Sequence, residues 1–136
     1  MSKLLIAAFT LAVALGPATG DGSEKVDDAT LLEELIRIPS VSTDIPQVNR
    51  VVRRLRDRLA TDGLWCRVET MDDGREVLYA ANVSTPTPDV LLSAHLDVVP
   101  AQSPALFVPR RENGRIYGRG ASDCKEHCVL AASTRS

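Results

Sequence analysis

Leu91-Leu92-Ser93-Ala94-His95-Leu96-Asp97-Val98-Val99-Pro100 is the stretch from which both the fold and the chemistry of this chain are read. Residues i and i+2 of extended backbone point to the same side, so Ser93, His95 and Asp97 share one face. The apolar run Val90-Leu91-Leu92 predicts an interior strand over 89–97, covered on both faces, that stops at Pro100. An imidazole followed two residues later by a carboxylate is a pairing found in zinc sites, where the carboxylate orients the ligating His. A surface His at a strand end, with an Asp that opens a turn, is the ordinary alternative. The dipeptide spacing alone favours it.

Working back toward the N-terminus, Thr85-Pro86-Thr87-Pro88 is a stiff link into this strand. Leu64 to Thr70 and Val77 to Val83 read as two strands around an Asp73-Gly74 hairpin signal. A helix is expected from about Pro46 to Thr61, because Val48, Val51, Val52, Leu55 and Leu59 fall on one stripe. Arg50, Arg53, Arg54, Arg56 and Arg58 crowd its remaining face, a pattern that usually marks a solvated surface. A shorter helix near 28–37 buries Leu31, Leu32, Leu35 and Ile36, with Asp27 or Asp28 as its cap and Pro39 as its stop. Ile38 to Ser42 is then an extended connector.

In the other direction, Phe107–Arg111 and Arg115–Tyr117 form a hairpin through Glu112-Asn113-Gly114. Gly118-Arg119-Gly120-Ala121-Ser122-Asp123 follows, and a helix is expected over 124–132. Asp123 has an ordinary explanation, since Asp with Glu126 three residues on is a capping-box pattern. The two glycines flanking Arg119 suggest more than a cap, because they let backbone approach closely just before the acidic residue.

Composition excludes several classes. The chain has 136 residues, 44% of them hydrophobic and 25% charged, which suits one globular domain and is too short for two. A net charge of -2 and only five aromatic residues leave no basis for nucleic-acid binding. Residues 1–20 read as a signal peptide: a basic start at Lys3, an apolar run from Leu4 to Leu15, and small residues before a cleavage after Gly20. That run is too short for a stable membrane span. The expected location is secreted or periplasmic, or cytoplasmic if the apolar start is not a signal. Residues 21–27 are expected to be a flexible linker. Three cysteines, Cys66, Cys124 and Cys128, do not make a disulfide framework.

Taken together, Ser93 to Pro100 and, some twenty residues on, Gly114 to Lys125 resemble the zinc exopeptidase and amidohydrolase family. That family includes acetylornithine deacetylase, succinyl-diaminopimelate desuccinylase, aminoacylase and glutamate carboxypeptidase. The Ile38–Ser42 connector is similar to the family as well, and the likeness covers about residues 28 to 132. The resemblance implies an α/β fold, a three-layer α-β-α catalytic domain whose N-terminal portion, with a mixed sheet, is residues 28–136. It implies hydrolysis of amide bonds in small peptides or N-acylated amino acids through a metal-bridging water.

Residue by residue, the resemblance makes His95 and Asp123 metal ligands and Asp97 the catalytic-site carboxylate behind the His95 imidazole. Asp123 would bridge two zinc ions, with a cis peptide to Cys124; cobalt or manganese are the substitutes for zinc. Tyr117 and Arg119 match the motif and are read as packing and loop-fixing residues. The chain departs from the pattern at Glu126 and His127, where the family has Gly after the Lys. Cys124, His127 and Cys128 form a separate candidate cluster for a soft metal.

The family also uses a later Glu-Glu pair, a further acidic residue and a distant His, and a second domain that carries dimer contacts. None of these falls within the 136 residues. The expectation is therefore an N-terminal part of a metallohydrolase with two direct ligands, inactive alone, in which a homodimer is implied only for a full-length form. A non-catalytic remnant or a partner-dependent fragment is the alternative.

Overall fold

The computed structural model describes residues 6–8, 27–82 and 90–133. The expected signal segment, the 21–27 linker and the Pro-rich link fall largely outside these residues. Within the apolar start, Ile6–Ala8 forms a short strand, β1. The chain continues through α1 (Asp28–Ile36), α2 (Ile45–Thr61), β2 (Trp65–Thr70) and β3 (Glu76–Ala81). A 3-10 turn at Pro104–Phe107, a hairpin of β4 (Arg110–Glu112) and β5 (Arg115–Tyr117), and α3 (Lys125–Ser133) complete it. The fold is α/β. No helix among the described residues is long and apolar enough to cross a membrane.

The helices form for the reasons the pattern indicates. The α2 stripe Val48, Val51, Val52, Leu55 and Leu59 is buried and α2 packs on β3, while α1, with Leu31, Leu35 and Ile36 buried in the same core, packs on α3 and α2. Burying one such side chain stabilises the fold by roughly 1.5–3 kcal/mol, so the stripe decides how α2 lies. Asp44 caps α2 by accepting from the Gln47 amide at 3.2 Å. The Arg face is largely taken up in ion pairs: Arg53 with Glu76, Arg54 with Glu34, and Arg58 with Asp62. The last is buried on both sides.

The sheets are small and antiparallel, in the order β1-β3-β2 and β4-β5. Trp65 pairs with Ala81 and Thr70 with Glu76 across the first hairpin. The second closes through Asn113 at φ 50 and Gly114 at φ 75, the two consecutive positive φ values of a tight hairpin turn. Arg111 Nε reaches back to Glu33 at 2.5 Å and ties this hairpin to α1.

The 89–97 stretch differs from its expectation. Residues 91–97 form no strand ladder among the described residues, and Val90 and Leu91 are exposed rather than covered on both faces. An apolar run becomes an interior strand only where neighbours hydrogen-bond to it on both edges. Here the neighbour is the 38–42 connector. Val98 N donates to Ser40 O at 2.9 Å and Ser42 N to Val98 O at 3.0 Å, forming a parallel bridge between Val41 and Val98. The period-2 alternation survives: Ala94, Leu96 and Val98 are buried, while Ser93, His95 and Asp97 face outward.

Lys125 locks α3 to this framework. Its side chain is fully buried, and Nζ donates to Leu35 O at 2.7 Å and Ile38 O at 2.9 Å. Those carbonyls lie at and just past the end of α1, where each also accepts a backbone amide, from Ile38 N at 3.2 Å and Ser40 N at 2.8 Å. Burial pushes the Lys125 ammonium down to about 8.

Candidate metal centre

His95 and Asp123 come from segments 28 residues apart and meet at one edge of a cavity of about 340 Å³. The first is delivered by the outward face of the 91–98 segment, the second by the turn after β5. Backbone geometry explains the glycines of that turn. A Cβ on Gly118 would lie 2.6 Å from Ile36 Cγ2, and one on Gly120, whose φ is +84, would lie 2.8 Å from Val98 Cγ1. Only glycine lets the turn pass this close to α1 at Gly118 and to the segment that carries His95 at Gly120.

The imidazole is held by Asp97. Nδ1 lies 2.9 Å from Asp97 O and 3.2 Å from Asp97 Oδ1. Both partners are acceptors, so the Nδ1 proton is committed there. With the proton on Nδ1, Nε2 of a neutral ring presents its lone pair to Asp123 Oδ1, 3.1 Å away. Two lone-pair-bearing atoms at that distance need either a proton or a cation between them. A tetrahedral zinc ion spaces its N and O ligands about 3.3 Å apart. The donor set therefore fits a divalent cation.

Asp97 is itself positioned. Ser42 Oγ donates to Asp97 Oδ2 at 2.6 Å, and Ser40 Oγ, fully buried, donates to Leu96 O at 2.7 Å. Sequence reading placed Ser40 and Ser42 in a plain connector and missed this role. Their only signal was membership of the Ile38–Ser42 segment.

Asp123 does not act as the helix cap suggested by its spacing to Glu126. The helix starts at Lys125, and the bond made by the Asp123 carboxylate goes to His95. The Asp123–Cys124 peptide is cis, as the family pattern implied. The Cys124/His127/Cys128 cluster is not assembled. Cys124 Sγ lies 3.3 Å from His127 Nδ1, but Cys128 is buried and donates to His95 O at 3.4 Å. Arg119 fixes its loop, with its amide donating to Leu106 O at 2.7 Å and Nη2 to Pro100 O at 3.4 Å. Tyr117 stacks under the Arg110 guanidinium, 5.0 Å from the ring centre.

Residues 91–134, which include both motifs, match the family model described as Peptidase family M20/M25/M40. The chain is 35% identical over 109 residues to a succinyl-diaminopimelate desuccinylase of Paracidovorax citrulli, covering 70% of this chain and 27% of the relative. A desuccinylase of Rickettsia bellii is 34% identical over 114 residues, covering 76% and 28%. A cysteinylglycine-S-conjugate dipeptidase of Corynebacterium striatum is 38% identical over 69 residues, covering 47% and 15%. The family resemblance read from the two motifs is the one these matches identify, at low identity and over the N-terminal part only. The chain spans about a quarter of the length of the desuccinylases it matches.

Proposed function

We propose that this chain supplies one side of the metal site of a hydrolase that cleaves amide bonds in small peptides or N-acylated amino acids. The observation that carries the reading is the Nε2–Oδ1 spacing of 3.1 Å between His95 and Asp123, with the opposite ring nitrogen committed to Asp97. The relatives' names, a desuccinylase and a dipeptidase, both describe cleavage beside an amino acid and support the substrate class.

His95 Nε2 and the Asp123 carboxylate would hold the cation, with zinc the best match to an imidazole and carboxylate set, and cobalt or manganese as substitutes. Two such ions sharing Asp123 is the arrangement the family implies. A bound ion supplies Lewis acidity toward an amide carbonyl and toward water. Asp97 keeps the His95 proton on Nδ1, so that Nε2 stays available as a donor, and raises the basicity of the ring. Ser42 holds Asp97 in that position.

A second reading, a non-catalytic or partner-dependent fragment of such a hydrolase, is favoured by one observation. Among the described residues lining the cavity the carboxylates are Asp97 and Asp123, and both are committed to His95. Neither stands free to take a proton from water, which general base catalysis requires. An assay of the zinc-supplemented chain against N-succinyl amino acids, N-acetyl amino acids and dipeptides separates the two. Hydrolysis that needs zinc and disappears in His95→Ala and Asp123→Asn supports the enzyme reading. Hydrolysis that survives chelation or either substitution contradicts it. Zinc binding without turnover is the outcome of the second reading.

A further inference from the structure

Cys124 follows Asp123 directly, and its sulfur belongs to the same group of donors. One ligand atom each of His95, Asp123 and Cys124 lie within 4.8 Å of one another. Around a tetrahedral zinc ion, N, O and S ligands stand about 3.3–3.7 Å apart. The group is thus about 1 Å wider, at its longest, than a closed site. Side chains on the 90%-exposed Asp123 and the half-buried Cys124 can close that gap by rotation.

The other two thiols are placed differently. Cys128 is sealed in the core with its sulfur on the His95 carbonyl, and Cys66 sits under α2 with its sulfur toward Arg56 O at 3.9 Å. Only the Cys124 sulfur, among the three, joins the donor group. It also has a basic neighbour at hand, since His127 Nδ1 is 3.3 Å away, one helical turn on.

We propose that Cys124 is a third protein ligand, so that this chain holds one divalent cation through His95 Nε2, the Asp123 carboxylate and Cys124 Sγ. The inference rests on the His95/Asp123 site proposed above and extends it. On binding, the S–H bond breaks and a metal–sulfur bond forms; the proton passes to His127 Nδ1, and no electron changes hands. Thiolate is a soft ligand, so the site favours zinc and cobalt and discriminates against manganese and magnesium. An imidazole and carboxylate set without sulfur would discriminate less.

Cobalt titration of the whole chain, followed by absorption, tests this. The wild type is expected to show visible ligand-field bands together with a near-ultraviolet sulfur-to-cobalt charge-transfer band. Cys124→Ser should lose the charge-transfer band, keep visible bands, and bind about tenfold or more weakly. Cys66→Ser, the control for thiol number, should keep both. Visible bands without charge transfer in the wild type, or charge transfer that survives Cys124→Ser, would overturn the inference while leaving His95 and Asp123 as ligands. Absence of both kinds of band removes the two readings together. A readout that needs no variant is mapping of iodoacetamide alkylation by mass spectrometry. Zinc should protect Cys124 in the wild type, and unchanged labelling there would overturn the proposal.

Discussion

At His95 the orientation of the ring is set by Asp97 and, behind it, by Ser42. Asp97 fixes the ring of His95 through both its carbonyl and its carboxylate, and Ser42 fixes Asp97. Loss of such an orienting partner typically weakens metal affinity 10–100-fold. Asp97→Ala is accordingly expected to weaken zinc binding by about 10–100-fold, while far-ultraviolet circular dichroism stays unchanged. Gly120 is constrained by space and by φ together. Gly120→Ala should lower stability by about 1–3 kcal/mol in urea unfolding, because the added carbon meets Val98 and a left-handed φ must be kept. The shared face of His95 and Asp97 was legible from their spacing, whereas the meeting of Asp123 with His95 was implied by the family resemblance, since the turn by itself also fits a helix cap. Ser42 was not legible, because its partner is 55 residues away and no local pattern announces a contact of that range.

Among the elements, helices with a strong apolar stripe were the easiest to read. The expected helices near 28–37, 46–61 and 124–132 are found at Asp28–Ile36, Ile45–Thr61 and Lys125–Ser133. The 89–97 strand was misread because an apolar run fixes neither pairing nor burial: Val90 and Leu91 are exposed. Its pairing, through Ser40 and Ser42, depends on a distant segment. Lys125 was illegible for a related reason: nothing in a local window marks a lysine as fully buried. Its two carbonyl partners join α3 to the end of α1. Lys125→Met keeps much of the apolar stem and removes both hydrogen bonds, while Leu35 O and Ile38 O each keep one backbone amide donor. A loss of about 1–3 kcal/mol is expected, at roughly 0.5–1.5 kcal/mol per hydrogen bond removed, measured as a shift of the urea midpoint.

For the molecule as a whole, the Cys66 thiol couples stability to pH. Burial pushes it up to about 11 from an ordinary value of 9.0, against a smaller opposing pull from Arg56. Above pH 9 the unfolded chain releases this proton while the folded chain keeps it. The contribution is therefore whole below pH 9 and is lost as pH rises through about 11. Wild type and Cys66→Ala should differ in the slope of stability against pH across that window, with the variant falling less. Equal slopes would mean that the thiol is not shielded.

The fold brings the 91–98 segment and the turn after β5 together at His95 and Asp123, and the proposal that they hold a metal ion is tested most directly by calorimetric titration with zinc. The wild type is predicted to bind zinc at a site whose affinity drops by more than about tenfold in His95→Ala, since a direct ligand is lost. Zinc binding of equal affinity in the two proteins would contradict the account.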